Sequence, residues 1–222
     1  MLKNIKNTFI VFILSSFIMT SVSHSMAHSK KGGGLPGLGG GGGGSKVDLS
    51  EAKSKFTALF AVAFNDYVDA LAYLNDAAGN KEAAAKIRSQ AKIDLKAKNP
   101  ENQIAASANF LSDSTASTKK ILEAKDLVIS AEGKVAYAKA MPHIIKGTIA
   151  AIKMPKEGKN LLDGIKSDQM AMAKMSGLVK VLPKMPDLVK NMTEVAKLTV
   201  TIGKKNNIDG VKDAEKEFSK LF

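Results

Sequence analysis

From Asp48 onwards, apolar residues recur in steps of three and four, which is the spacing of one face of an α-helix. Phe56, Phe60, Ala63 and Tyr67 show this spacing first, and similar runs follow through to the C-terminus. No stretch keeps the two-residue alternation of a half-buried β-strand for more than a few residues. The sequence therefore predicts an all-α fold, an irregular helical bundle over residues 46–222.

The first half of this region predicts three helices. The residues Asp48-Leu49-Ser50-Glu51 have the form of a capping box, so a helix is expected from there to Gly79-Asn80. A second helix is expected over 81–98. The third begins at Asn99-Pro100, because Pro is well tolerated in the first turn of a helix.

Three acidic residues recur on the polar side of the first predicted helix, namely Asp66, Asp69 and Asp76. They do not match the Glu and Glu-x-x-His pattern of di-metal helical bundles. We expect them to face solvent or to pair with lysines of the second helix. Those lysines are Lys86, Lys92 and Lys96.

Prolines divide the second half of the region. Met-Pro occurs at 141–142, 154–155 and 185–186, and Pro183 adds a further break. Because Pro removes a helical hydrogen bond, each is expected to end or kink a helix. The predicted helices cover 134–141, 142–153, 157–177, 186–203 and 208–221. Residues 133–146 also resemble residues 177–190 at an offset of 44, which either a duplicated helical unit or chance recurrence in a sequence of low diversity would produce.

The first 45 residues carry targeting and spacer features. Lys3 and Lys6 precede an apolar run over 9–19, and Ser25-Met26-Ala27 suits signal peptidase, so residues 1–27 are predicted to be a secretory signal peptide. Residues 28–45 contain ten glycines and are predicted to be a flexible linker. The alternative is an uncleaved anchor, but this run of 11 residues, two of them Ser, is short beside the ~20 apolar residues of a membrane span. We expect export to the periplasm or the cell exterior.

The charge of the chain favours anionic partners other than nucleic acid. The net charge is +12, and it would be +10 after removal of residues 1–27, which contain two lysines and no acidic residue. Arg88 is the only Arg, there is no Trp, and aromatic residues are few, so base recognition is poorly supported. A Lys excess suits lipid head groups or acidic polysaccharide, or simply solubility.

The sequence contains few groups that could perform catalysis. There is no Cys, and His143 is the only His beyond the linker. Because His143 follows Pro142 at a predicted helix start, we expect its side chain to be partly exposed. Nucleophile-elbow, phosphate-loop and zinc-protease motifs are absent. We therefore expect a non-enzymatic protein without a cofactor.

Methionine provides the sharpest chemical hypothesis. Met170, Met172 and Met175 lie close together, and thioethers are soft ligands that favour Cu(I). Helical geometry turns Met170 away from Met172, and Met is also a common filler of cores and adaptable grooves. Packing is therefore the favoured interpretation, with a Cu(I)-binding carrier as an alternative.

Together these features predict an interaction module of a bacterial cell envelope. It would bind an unknown protein or an anionic envelope surface through a Met-containing apolar groove and a Lys-rich surface. The residues expected there are Met185, Met192, Lys190, Lys197 and Lys204, with peripheral membrane contact. A further alternative is a membrane-active protein whose C-terminal amphipathic helices leave the bundle and insert.

Overall fold

The computed structural model describes residues 48–90, 92–96 and 100–221. These residues are 83% helical and include no strand, which confirms the all-α prediction for them. The predicted signal peptide and Gly-rich linker lie outside the described residues. Among the described helices, none combines the length and apolarity needed to cross a membrane.

Eight α-helices follow one another along the described chain. In order they are α1 (Leu49–Ala77), α2 (Lys81–Arg88), α3 (Ile104–Leu122), α4 (Ala131–Lys166), α5 (Gln169–Lys174), α6 (Ser176–Val181), α7 (Met185–Lys205) and α8 (Val211–Ser219). Short 3-10 turns precede α3 and α7, at Pro100–Gln103 and Leu182–Lys184. One continuous apolar core joins residues from α1 to α8.

The helix starts in the first half follow from their capping residues. The Asp48 carboxylate accepts hydrogen bonds from the amides of Ser50, at 2.9 Å, and Glu51, at 3.1 Å, so α1 begins where the capping box predicts. Asn80 caps α2 in the same way through the amide of Ala83. The third helix starts later than predicted, because Pro100–Gln103 forms a 3-10 turn and the α-helix itself begins at Ile104.

The predicted second helix is wrong beyond Arg88, where α2 ends. Asn65 of α1 binds the backbone of Ile93 on both sides, because its amide group donates to the carbonyl and its oxygen accepts from the N–H. These two hydrogen bonds take the backbone groups that a continuing helix would use. The Ile93 side chain is buried, so the segment 92–96 lies against α1.

The predicted break at two of the three Met-Pro pairs is also wrong. Pro142 and Pro155 both lie inside α4, which runs unbroken from Ala131 to Lys166. Pro142 is exposed and Pro155 half-buried, so neither ring displaces the packed face of the helix. The extensive interface of α4 with α1 compensates for the lost hydrogen bonds.

Pro183 and Pro186 act as the sequence predicts. The chain leaves α6 after Val181, forms a 3-10 turn, and begins α7 at Met185 with a proline in its first turn. Residues 133–146 therefore lie within the single helix α4, whereas residues 177–190 span α6, the turn and α7. The 44-residue echo does not correspond to a repeated structural unit.

The final helix is shorter than the predicted range 208–221. Asn207 and Gly210 both adopt positive φ, at 53° and 80°, so the chain turns before α8 begins at Val211. Val211 then packs tightly against Gly203 of α7.

The helices α1 and α4 pack tightly against each other at Gly147. A Cβ at this position would lie only 2.5 Å from Cδ2 of Tyr67, so no larger residue fits without displacing the ring. The Tyr67 hydroxyl donates to the carbonyl of Met192, at 2.7 Å, and lies 2.8 Å from the Thr148 hydroxyl. One fully buried side chain therefore ties α1 to both α4 and α7.

Two other glycine contacts show that α1 and α4 run antiparallel. Gly133, near the start of α4, faces the carbonyl of Ala77 at the end of α1, whereas Gly158 faces the ring of Phe56. Leu182 also approaches Gly158. The N-terminal end of α1, the C-terminal end of α4, and the segment from α5 to the second 3-10 turn thus lie at one end of the bundle.

We predict that Gly147→Ala lowers the free energy of unfolding by about 1–3 kcal/mol, because overpacking a tight core site forces backbone or ring shifts. The control is Gly177→Ala in α6, where the nearest contact to an added Cβ would be 4.0 Å away. This control should be neutral or slightly stabilising, since Ala favours helix over Gly. Urea unfolding of both variants checks the prediction, and equal stabilities would contradict it.

Candidate functional site

The helix α5 exposes methionine side chains at its surface. Met170 is 68% exposed and Met172 is 41% exposed, whereas Ala171 between them is buried against the bundle. Successive residues of a helix are turned by about 100°, so the two methionines lie on either side of Ala171. Ala173 is exposed as well. We call these three exposed side chains, Met170, Met172 and Ala173, the α5 surface.

The third member of the predicted methionine group lies elsewhere. Met175 caps the end of α5, is half-buried, and packs against the core. The structure therefore brings the three methionines into one short segment but not onto one face. In the described part of the chain, no cluster of three or more His, Asp or Glu side chains is arranged to hold a metal ion.

The two other predicted methionines do not line an exposed groove. Met185 and Met192 are 1% and 0% exposed, and both belong to the continuous core. Their side of α7 packs inward with Leu188 and Val195. In this conformation neither thioether is accessible to a partner. The sequence could not show this, because amphipathic periodicity does not distinguish a core face from a binding face.

The predicted lysine row of α7 is exposed but partly balanced by acidic neighbours. Lys204 forms an ion pair with Glu215 of α8. Glu194 pairs with Lys119 of α3, at 2.7 Å, and that hydrogen bond is the main reason why its pKa is lowered, with Lys190 and Lys197 contributing. The row therefore presents less net positive charge than the sequence alone suggests.

A larger cationic excess lies between the second half of α4 and the start of α7. Residues 153–190 contain eight lysines but four acidic residues, and none of these lysines forms an ion pair in the described ranges. The residues outside those ranges contain no Asp or Glu side chain. The eight are Lys153, Lys156, Lys159, Lys166, Lys174, Lys180, Lys184 and Lys190.

Several acidic residues at the same end of the bundle already have partners. Glu101 pairs with Lys53, and Glu51 pairs with Lys55. Asp168 accepts hydrogen bonds from the amides of Met170 and Ala171 and so caps α5. Glu51 and Glu101 are therefore balanced by lysines of α1, and residues 153–190 keep an excess of four lysines over acidic residues, with Asp168 counted among the latter.

A second candidate site is a polar cleft of about 470 Å³ between α1, the 92–96 segment and α4. His143 Nδ1 lies 3.1 Å from Asp66 and 3.9 Å from Asp69. Lys146 approaches the other Asp66 oxygen at 3.0 Å, and Lys92 pairs with Asp69 at 2.6 Å. The cleft thus combines carboxylates and cationic groups in a chain of ion pairs.

An aromatic stack extends this network beyond the cleft. The ring of Tyr73 stacks on His143, with the centroids 6.0 Å apart, and the Arg88 guanidinium lies 5.3 Å from the Tyr73 centroid. Arg88 also pairs with Asp76. Among the three lysines of residues 81–98 that were expected to pair with the acidic residues of α1, Lys92 is the one that does so. The sequence could not show that His143 of α4 would meet α1, since that contact depends on the antiparallel packing.

The charge state of Asp66 is set by competing effects. Burial of this side chain, which is 10% exposed, would raise its pKa, but the hydrogen bonds from His143 and Lys146 outweigh that effect. The pKa of Asp66 is therefore held below its ordinary value. The ionised carboxylate stabilises the junction of α1 with α4.

Comparisons with known proteins identify no relative, because no family model, no curated protein and no solved structure matches this chain.

We predict that Asp66→Asn lowers the free energy of unfolding at neutral pH by about 1.5–3 kcal/mol, because charged hydrogen bonds to His143 and Lys146 are lost. A lowered pKa gives stability that is present above the unfolded-state value, near 4, and is lost as the pH falls through the folded-state value. The difference between parent and variant should therefore shrink below about pH 4.

The control is Asp69→Asn, which removes a more exposed pair with Lys92 and should cost about 1 kcal/mol or less. Unfolding in urea across a pH series measures both variants. A pH-independent difference between the parent and Asp66→Asn would contradict this account.

Proposed function

We propose that this protein is an exported, non-enzymatic module of a bacterial cell envelope that docks as a folded bundle on an anionic lipid surface. The observation that carries the proposal is the set of unpaired lysines over 153–190, close to the exposed α5 surface. Lysines near an anionic membrane contribute about 1 kcal/mol each, and several act together. Export is proposed on the basis of residues 1–27.

Lys favours this type of partner over one that is recognised by specific hydrogen bonds. An ammonium group is a hydrated point charge, which suits a fluid array of head groups better than a planar bidentate acceptor. Arg88, the only guanidinium of the chain, is already engaged with Asp76 and Tyr73. A diffuse electrostatic contact therefore fits the described surface.

Docking of the folded bundle is better supported than insertion of C-terminal helices. The apolar face of α7 packs in the core, where Val195 and Ala196 are fully buried. Tyr67 and Tyr137 further hold α7 through hydrogen bonds to the carbonyls of Met192 and Thr199. Release of α7 would expose this core and break both hydrogen bonds. We therefore retain insertion only as an outcome of the test.

A Cu(I)-binding carrier has less support. Met170 and Met172 are exposed on opposite sides of Ala171, while Met175 is half-buried. Convergence of three thioethers on one ion would require α5 to reorganise. Neither geometry nor burial in the described residues favours copper over surface docking.

The test uses protein purified after export from bacteria that express the full chain, with its N-terminus determined by sequencing. We predict that it co-sediments with phosphatidylcholine vesicles containing an equal share of phosphatidylglycerol, in a salt-sensitive manner. The triple variant Lys166→Gln, Lys174→Gln, Lys180→Gln should bind about 100-fold more weakly, at about 1 kcal/mol per lysine.

The matched control is the variant Lys197→Gln, Lys204→Gln, Lys205→Gln, which makes the same change in charge in the C-terminal half of α7, outside residues 153–190. Because Glu194 and Glu215 partly balance that row, the control should weaken binding less than the first variant does. Absence of sedimentation, or equal sedimentation with pure phosphatidylcholine, would contradict the proposed function. A sequenced N-terminus at Met1 would contradict signal-peptide cleavage.

A further inference from the structure

We infer that the α5 surface is the point at which the docked bundle enters an anionic bilayer, with the neighbouring lysines on the head groups. This inference rests on the proposed function and adds an orientation to it. The end of the bundle that carries α5 faces the membrane, and the opposite end, near Val128, faces away from it.

The geometry of α5 supports this orientation. This six-residue helix buries Ala171 and exposes its other five side chains, of which Met170, Met172 and Ala173 are apolar and Gln169 and Lys174 are polar. Large exposed apolar side chains are few in the described residues, and two of the five occur in this one helix. Flexible thioether side chains can adapt to the disordered boundary between head groups and acyl chains.

The charges around α5 match those of an anionic head-group layer. Lys166 ends α4 three residues before α5, and Lys174 ends α5 one helical turn after Met170. Lys180 and Lys184 follow in α6 and the next 3-10 turn. Apolar side chains bordered by cationic ones favour binding to an anionic interface, because apolar burial and electrostatic attraction to the head groups then act together.

The connectivity of the chain is consistent with the same orientation. Asp48, where the N-terminal residues join α1, lies at the α5 end because α1 and α4 are antiparallel. Val128 precedes α4 at the other end and is 82% exposed. The 36 residues of α4 separate these two ends by about 50 Å. When the bundle stands with one of these ends on the bilayer, the other end is therefore held clear of it.

Two short apolar side chains cannot hold the protein on a membrane by themselves, because even a single acyl chain gives only reversible binding. The lysines must therefore provide most of the affinity, while the methionines provide a component that salt does not screen. This division predicts two separable effects. Lysine variants reduce binding at low salt, and methionine variants reduce the fraction that remains bound at high salt.

Single-cysteine labelling tests the orientation directly, because the chain contains no native Cys. The variants Met170→Cys and Val128→Cys are labelled with an environment-sensitive fluorophore and mixed with vesicles containing phosphatidylglycerol. We expect the label at position 170 to shift to shorter wavelength and to become shielded from iodide. The label at position 128 should remain unchanged, although both positions are exposed in the free protein.

The unlabelled double variant Met170→Ser, Met172→Ser provides a second readout. It should sediment with anionic vesicles at low salt like the parent and lose several-fold more binding than the parent at high salt. If the parent sediments but the label at 170 stays in water, or both labels shift equally, this inference is wrong while the proposed function stands. If the parent does not sediment at all, the proposed function itself fails.

Discussion

The packing of Tyr67 against Gly147 is the contact on which the rest of the bundle depends. The absence of a side chain at Gly147 lets α1 and α4 approach closely, and the Tyr67 hydroxyl extends the junction to the carbonyl of Met192 on α7. Burial raises the pKa of Tyr67, so this hydroxyl keeps its proton and remains a donor. Because α4 is held along its length, Pro142 and Pro155 do not break it, and α5 is placed at a defined end.

The fold class and the helix starts could be predicted because they depend on local signals. Apolar spacing indicates helices, and Asp48 and Asn80 carry their own capping groups. Helix ends and breaks depended on tertiary contacts. Asn65 takes the backbone of Ile93 and so shortens α2, while packing against α1 carries α4 through two prolines that a sequence rule treats as breaks.

The candidate site likewise combines features that local sequence patterns show with features that only tertiary contacts decide. The sequence marked Met170 and Met172 as unusual, but burial decides whether a methionine is core or surface, and Met192 shows the opposite outcome. The contact of His143 with Asp66 joins residues 77 positions apart, so no local pattern could reveal it. The local excess of lysine over acidic residues was visible, although only the structure shows which lysines lack partners. The proposed docking therefore depends on a folded bundle that presents an apolar and cationic end.

The central claim is that the protein docks without opening, and hydrogen–deuterium exchange measures this most directly. Exchange is compared for the protein alone and bound to phosphatidylglycerol vesicles. Our account predicts slower exchange over residues 166–184 on binding and unchanged slow exchange in α7, which stays in the core with Tyr67 and Tyr137 bound to it. Faster exchange in α7 on the vesicles would show that the bundle opens, and would contradict the account.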